Sequence, residues 1–197
     1  MSETTRRDLI RSLALAATLG SLPAADAQHV HNEVAEEKKS SGNYQPKLFT
    51  PHEYQTIQRL ADLIIPADEV SKGALDAGAP EYIDLLASGN ERLETLYRGG
   101  IVWLDVECGK RFGATFLESK PDQQTQLLDV LAYHRNETPE NHTGVLFFAW
   151  TRRMVVDAFY TSKIGIEDVG FKGNVGMSKF QVPAEALQYA LKRSGMA

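Results

Sequence analysis

The sequence predicts an all-α protein, a compact bundle of about six helices. Three observations lead there. Apolar residues recur at intervals of three and four along several segments, the spacing that lines one face of a helix. Prolines at 51, 80, 121, 139 and 183 stand where such segments begin, and proline suits the first helical turn because its missing N–H is not needed there. Convincing period-two alternation, the mark of a half-buried strand, is absent. With 43% hydrophobic and 24% charged residues in 197, the chain has the composition of a soluble domain able to bury a core.

Residues 1–27 have the three-part layout of an export signal: a basic start, a mild apolar run from Ser12 to Leu22, then Pro23 and the small-residue triplet Ala25-Asp26-Ala27. Cleavage after Ala27 would release a chain beginning at Gln28. The apolar run is roughly half the length of about 20 residues that a membrane helix requires, so a cleaved leader is favoured over a lasting anchor. Arg6, Arg7 and Leu9 read as a twin-arginine signal, with Thr5 where serine is usual and Leu9 where phenylalanine is usual. A general secretory signal that contains Arg-Arg is the alternative. The twin-arginine route carries folded proteins, and its usual reason is a cofactor inserted before export. A cofactor is therefore expected somewhere in the exported assembly.

Residues 28–47 are polar, mixed in charge and without apolar period, which predicts a flexible linker to a helical domain over 48–197. Thr50-Pro51-His52-Glu53 is a capping box, and Tyr54, Ile57, Leu60, Ala61, Ile64 and Ile65 share the face of the helix it opens, which Pro66 ends. Residues 67–78 read as loop. Pro80 opens a short helix with Tyr82, Ile83, Leu85 and Leu86 available for burial. A longer helix is predicted from Asn90 to Phe112, weakened or bent at Gly99-Gly100, with Cys108 in the core. Pro121 to Tyr133 follows, and then the most apolar helix, about Pro139 to Ser162, as the centre of the domain. Ile164 to Val182 is Gly-rich and reads as an ordered irregular segment. Pro183 to Arg193 reads as a terminal helix with Leu187 and Leu191 inside.

Several chemistries are excluded by composition. The single cysteine, Cys108, cannot build a disulfide, a thiolate metal cluster or a haem attachment within the chain. A net charge of −5 with interspersed signs lacks the basic face of a nucleic-acid binder. The dinucleotide turn G-x-G-x-x-G is absent; Gly170 to Gly176 approaches its composition without its spacing. No Glu-x-x-His pair for a di-iron bundle occurs, and no G-x-S-x-G elbow. His29 and His31 in the linker offer at most a loose metal contact. No catalytic, cofactor or metal residue is assigned. The remaining catalytic candidate is the carboxylate cluster from Asp62 to Asp84, with Asp68, Glu69, Asp76 and Glu81 between, as an acid–base pair. The plainer reading gives Asp68 and Asp76 to loops and caps, and Asp62 and Asp84 to polar helix faces.

Two segments carry a family resemblance. One is Leu60-Ala61-Asp62-Leu63-Ile64-Ile65-Pro66-Ala67-Asp68 with Gly73-Ala74-Leu75-Asp76-Ala77-Gly78-Ala79-Pro80-Glu81-Tyr82-Ile83-Asp84; the other is Phe159-Tyr160-Thr161-Ser162, Gly165-Ile166 and Gly170-Phe171-Lys172-Gly173-Asn174. Together with the leader they resemble the small third subunit of gluconate 2-dehydrogenase-type complexes, over about Phe49 to Phe180. The resemblance implies a non-catalytic subunit without a cofactor of its own. Its expected partners are a flavoprotein of the glucose–methanol–choline type that carries FAD, a cytochrome subunit that carries haem c, and the twin-arginine translocase that exports the folded pair. The expected location is the periplasm, at the outer face of the inner membrane. Tyr160, Lys163, Phe171, Lys172 and Asn174 are the candidate partner-interface residues, with Tyr160 and Phe171 equally suited to pack their segment onto the helices.

Overall fold

The computed structural model describes residues 24–171 and 182–194, and every regular element among them is helical. In chain order these are α1 (Ala24–Ser41), α2 (Pro51–Ile64), α3 (Ala79–Ser88), α4 (Glu91–Phe112), α5 (Pro121–Leu131), a 3₁₀ turn (His134–Asn136), α6 (His142–Thr161), α7 (Lys163–Asp168) and α8 (Ala184–Ser194). The leader residues Arg6, Arg7 and Leu9 lie outside the described residues, as do Lys172 and Asn174.

The predicted helices form where their local signals place them. Thr50 caps α2 through its hydroxyl, which accepts from Glu53 N, while the Glu53 carboxylate accepts from Thr50 N at 2.8 Å; Ile57, Leu60 and Ala61 of that helix are buried. Asn90 caps α4 by accepting from Arg92 and Leu93 N, Lys110 and Arg111 sit in its last turn against the helix dipole, and Gly113 ends it at φ 77°. The central position expected of the most apolar helix is observed: α6 packs against α1, α2, α3, α4, α5 and α7. Cys108 is buried in the core, where burial pushes its thiol up and Ser119 beside it acts the other way.

Gly99-Gly100 does not interrupt α4, which runs unbroken from Glu91 to Phe112. Gly100 is there because α6 crosses it: a Cβ at Gly100 would meet the Phe147 ring at 2.2 Å. The relation is reciprocal, since a Cβ at Gly144 of α6 would meet the Trp103 ring of α4 at 2.2 Å. Each helix gives up one side chain so that an aromatic ring of the other can lie on its backbone. Gly99 has nothing within 4 Å of a built Cβ, so it answers to no such contact.

The segment read as a flexible linker is the largest departure. Residues 24–41 form α1, which lies on α3 and α6, and Ala27, Val30 and Val34 of that helix are buried. The stripe is too sparse to show as a period beside Glu36, Glu37, Lys38 and Lys39. Polar contacts complete the docking. Lys38 pairs with Glu81 at 2.5 Å, Lys47 with Glu37 at 3.0 Å, and His31 meets Thr161 Oγ1 at 3.0 Å and the Tyr82 ring at 5.1 Å. Gly42, at φ 81°, ends the helix.

Between α1 and α2 the chain is held by one carboxylate. Asp84 of α3 is fully buried and accepts four hydrogen bonds: from Tyr44 Oη (2.8 Å), Lys47 N (2.7 Å), Leu48 N (3.1 Å) and Phe49 N (3.0 Å). Burial, reinforced by that carboxylate, raises the Tyr44 phenol well above its ordinary range. Asp84 therefore does not lie on a polar helix face. It serves as the internal acceptor for three backbone N–H groups that no helix satisfies.

Two further readings need correction. The Gly-rich stretch begins with a helical turn, α7, capped by the Ser162 hydroxyl accepting from Gly165 N. Helix α8 forms as predicted, but Leu187 is 49% exposed and no residue of α8 is buried.

Three outcomes follow from these contacts. Asp84→Ala strands three backbone donors, at about 1–3 kcal/mol each, and lowers the unfolding free energy in urea titrations by about 3 kcal/mol or more. Gly99→Ala raises stability by about 1 kcal/mol through helix propensity, whereas Gly100→Ala lowers it by about 1–3 kcal/mol through overpacking against Phe147. Burial holds His31 below its ordinary value of 6.5, opposed by a backbone contact at Ala158. The unfolded chain then binds the extra proton first, so this part of the stability is complete above pH 6.5 and is lost as pH falls through the lower folded-state value. Hydrogen exchange of α1, corrected for intrinsic rates, accelerates over that fall in pH, and His31→Gln flattens the response.

Candidate functional site

The carboxylates from Asp62 to Asp84 do not converge. Asp62 accepts from the Arg59 guanidinium at 2.8 Å, and Arg59 in turn donates to Gln124 Oε1 at 2.9 Å. Asp68 accepts from Val70 N and Ser71 N in a loop turn, which holds its carboxyl below the usual range, the Ser71 bond most strongly. Asp76 accepts from Gly73 N at 3.3 Å. This bond steadies a turn that needs glycine, because a Cβ at Gly73 would lie 2.6 Å from Ala67 N. Glu81 pairs with Lys38 and Asp84 is saturated. Each of these five groups is committed to a local structural partner, and Glu69 is exposed in the loop after α2. An acid–base pair needs two carboxyls free to face one substrate atom, and the four hydrogen bonds to Asp84 and the Lys38–Glu81 ion pair engage the two that α3 carries.

Metal chemistry fares no better among the described residues, where no group of three or more His, Cys, Asp or Glu side chains is placed to hold an ion. His134 and His142 both approach Glu137, at 3.0 and 2.6 Å, and hold its carboxyl below the usual range. His29 and His31 lie on α1 instead of a free linker, with His31 turned to Tyr82 and Thr161. No helix among the described residues is long and apolar enough to cross a membrane.

The fold also leaves apolar side chains on its surface. Val102 and Val106, one turn apart on α4, are 60% and 50% exposed. Gly99 lies a turn before Val102 and is also exposed. Beside this face, α4 and α6 enclose a groove of about 540 Å³, lined by Leu96, Gly99, Gly100, Leu146, Phe147 and Trp150 and by the polar Glu91, Arg92 and His142. Sequence reading assigned no role to this face. The available signal was that Val102 and Val106 fall outside the stripe of Leu93, Tyr97, Leu104 and Cys108 that α4 turns to the core.

Of the interface residues expected from sequence, three can be placed. Tyr160, on the last turn of α6, is 45% exposed and sets its ring edge-on to Phe159 at 5.0 Å. Lys163 opens α7 and lies 3.8 Å from Glu167. Phe171 is 58% exposed just beyond α7, its N–H bonded to Ile166 O at 3.1 Å. Neither aromatic ring is closed into the core. The cleavage positions Ala25 and Ala27 lie within α1, and Ala27 is buried.

Comparison with curated proteins and with solved structures gave no match. The model of one protein family, Gluconate 2-dehydrogenase subunit 3, matches residues 51–177. That span runs from the first residue of α2 through α7, and so takes in the Asp84 anchor, the α4–α6 groove and the Tyr160–Phe171 segment. The chain belongs to the gluconate 2-dehydrogenase subunit 3 family.

Proposed function

We propose that the chain is the non-catalytic small subunit of a periplasmic FAD-dependent gluconate or sugar dehydrogenase complex, which stabilises the flavoprotein large subunit and escorts it through twin-arginine export. Membership of a dehydrogenase subunit family sets the frame. The observation that carries the reading further is the apolar surface left outside a well-filled core, Val102 and Val106 on α4 and Tyr160 and Phe171 at the far end of α6. Exposed apolar side chains, with Val102 and Val106 on a rigid helix beside a groove, suit a permanent partner, because covering them removes apolar area from water at about 25 cal/mol per Å².

In this reading the flavoprotein supplies FAD and the oxidation, a cytochrome c subunit takes the electrons, and the present chain supplies the export address at Arg6 and Arg7. A stand-alone acid–base enzyme built on Asp62 to Asp84 is disfavoured by the same geometry, since Asp62, Asp68, Asp76, Glu81 and Asp84 each have a structural partner.

Copurification from the native periplasm and membranes tests the proposal. The tagged chain brings down a flavin-containing protein in equimolar amount, seen by its yellow absorbance, and that protein disappears from the periplasm when Arg6→Lys and Arg7→Lys are combined. Recovery of the chain alone and colourless, with the flavoprotein still exported in the double variant, would refute the escort role.

A further inference from the structure

We propose that docking of α1 withholds the Ala27–Gln28 bond from the protease that removes the leader, so that release of the leader is gated by α1 lifting off the bundle. The inference rests on reading residues 1–27 as an export signal. Signal-type proteases bind several residues on either side of the scissile bond in extended form, with the small side chains at the first and third positions before it inserted in pockets. Here those positions are Ala27 and Ala25, and both lie in the first turns of α1. Ala27 is fully buried, with Val30 and Val34 buried one and two turns on. A bond inside a docked helix is cut only when the helix opens locally.

The contacts that resist opening are distributed along α1. His31 meets Thr161 and the Tyr82 ring, and Lys38 pairs with Glu81, so the helix is tied to both α3 and α6 beyond its apolar stripe. Cleavage also has a structural cost, because it removes Ala27 from the space it fills between the helices. A chain that folds before export would reach the processing enzyme with α1 already seated. The leader then stays attached, with its apolar run, for as long as the seat holds.

The test uses purified full-length chain with a bacterial type I signal peptidase in detergent, followed by intact mass. Wild type is compared with Val34→Asp, which places a carboxylate on the buried face of α1, and with Lys38→Glu, which sets like charge against Glu81. Hydrogen exchange identifies the variants in which α1 has opened while α2 to α6 stay protected. A synthetic peptide of residues 1–34, with no bundle to dock on, reports whether the bond is a substrate at all. The expected result is cleavage after Ala27 in the peptide and in the opened variants, about tenfold or more faster than in wild type. Equal rates in wild type and opened variants overturn the shielding. An uncut peptide together with uncut opened variants also overturns it, and does so by removing the signal reading instead.

Discussion

A single buried carboxylate settles how the segment from α1 to Phe49 meets the rest of the described structure. Asp84 projects from α3 into a space where the Tyr44 hydroxyl and three consecutive backbone N–H groups, of Lys47, Leu48 and Phe49, converge on its two oxygens. A backbone turn that enters the interior must have its donors satisfied, and no helix or strand does so here. With Asp84 in place, Phe49 can be buried, Thr50 is delivered to cap α2, and α1 is returned across α3 and α6, where Lys38 and Lys47 complete its ion pairs. The same constraint removes Asp84 from consideration as a general base, because its acceptor capacity is taken by the fold.

The helices from α2 to α6 were legible because each carries its own local signal: the Thr50–Glu53 capping box, Pro80, the Asn90 cap with Gly113 at the end, Pro121, and the apolar density of α6. What escaped was whatever depends on a distant surface. Helix α1 has no apolar residue larger than valine among its eighteen, and only the receiving faces of α3 and α6 turn Ala27, Val30 and Val34 into core. Gly100 reads locally as a weak point, yet its meaning lies in Phe147, forty-seven positions on. Helix α8 errs the other way: Leu187 and Leu191 have the spacing of a buried stripe, but no described element covers Leu187.

The site was legible in kind more than in place. Family membership could be read from the stretches Leu60 to Asp84 and Phe159 to Asn174, and the family match spans both. The first of these owes much of its pattern to structure: Gly73 admits a close backbone, Gly78 takes a left-handed turn, and Asp76 and Asp84 accept from backbone donors. Residues that look chemical in a sequence are here structural. The exposed Val102–Val106 face could not be separated from core by composition, since which side of an apolar helix is covered depends on where its neighbours end.

The account holds that this chain acts through surfaces it offers to another protein. Carbene labelling of side chains, read by mass spectrometry on the isolated chain and on the dehydrogenase complex it copurifies with, tests that most directly. The account predicts that labelling of Val102, Val106, Tyr160 and Phe171 falls in the complex while Val70, an exposed loop residue, labels equally in both. Unchanged labelling at all four would contradict it, because the apolar surface would then remain open to water in the assembly it is supposed to build.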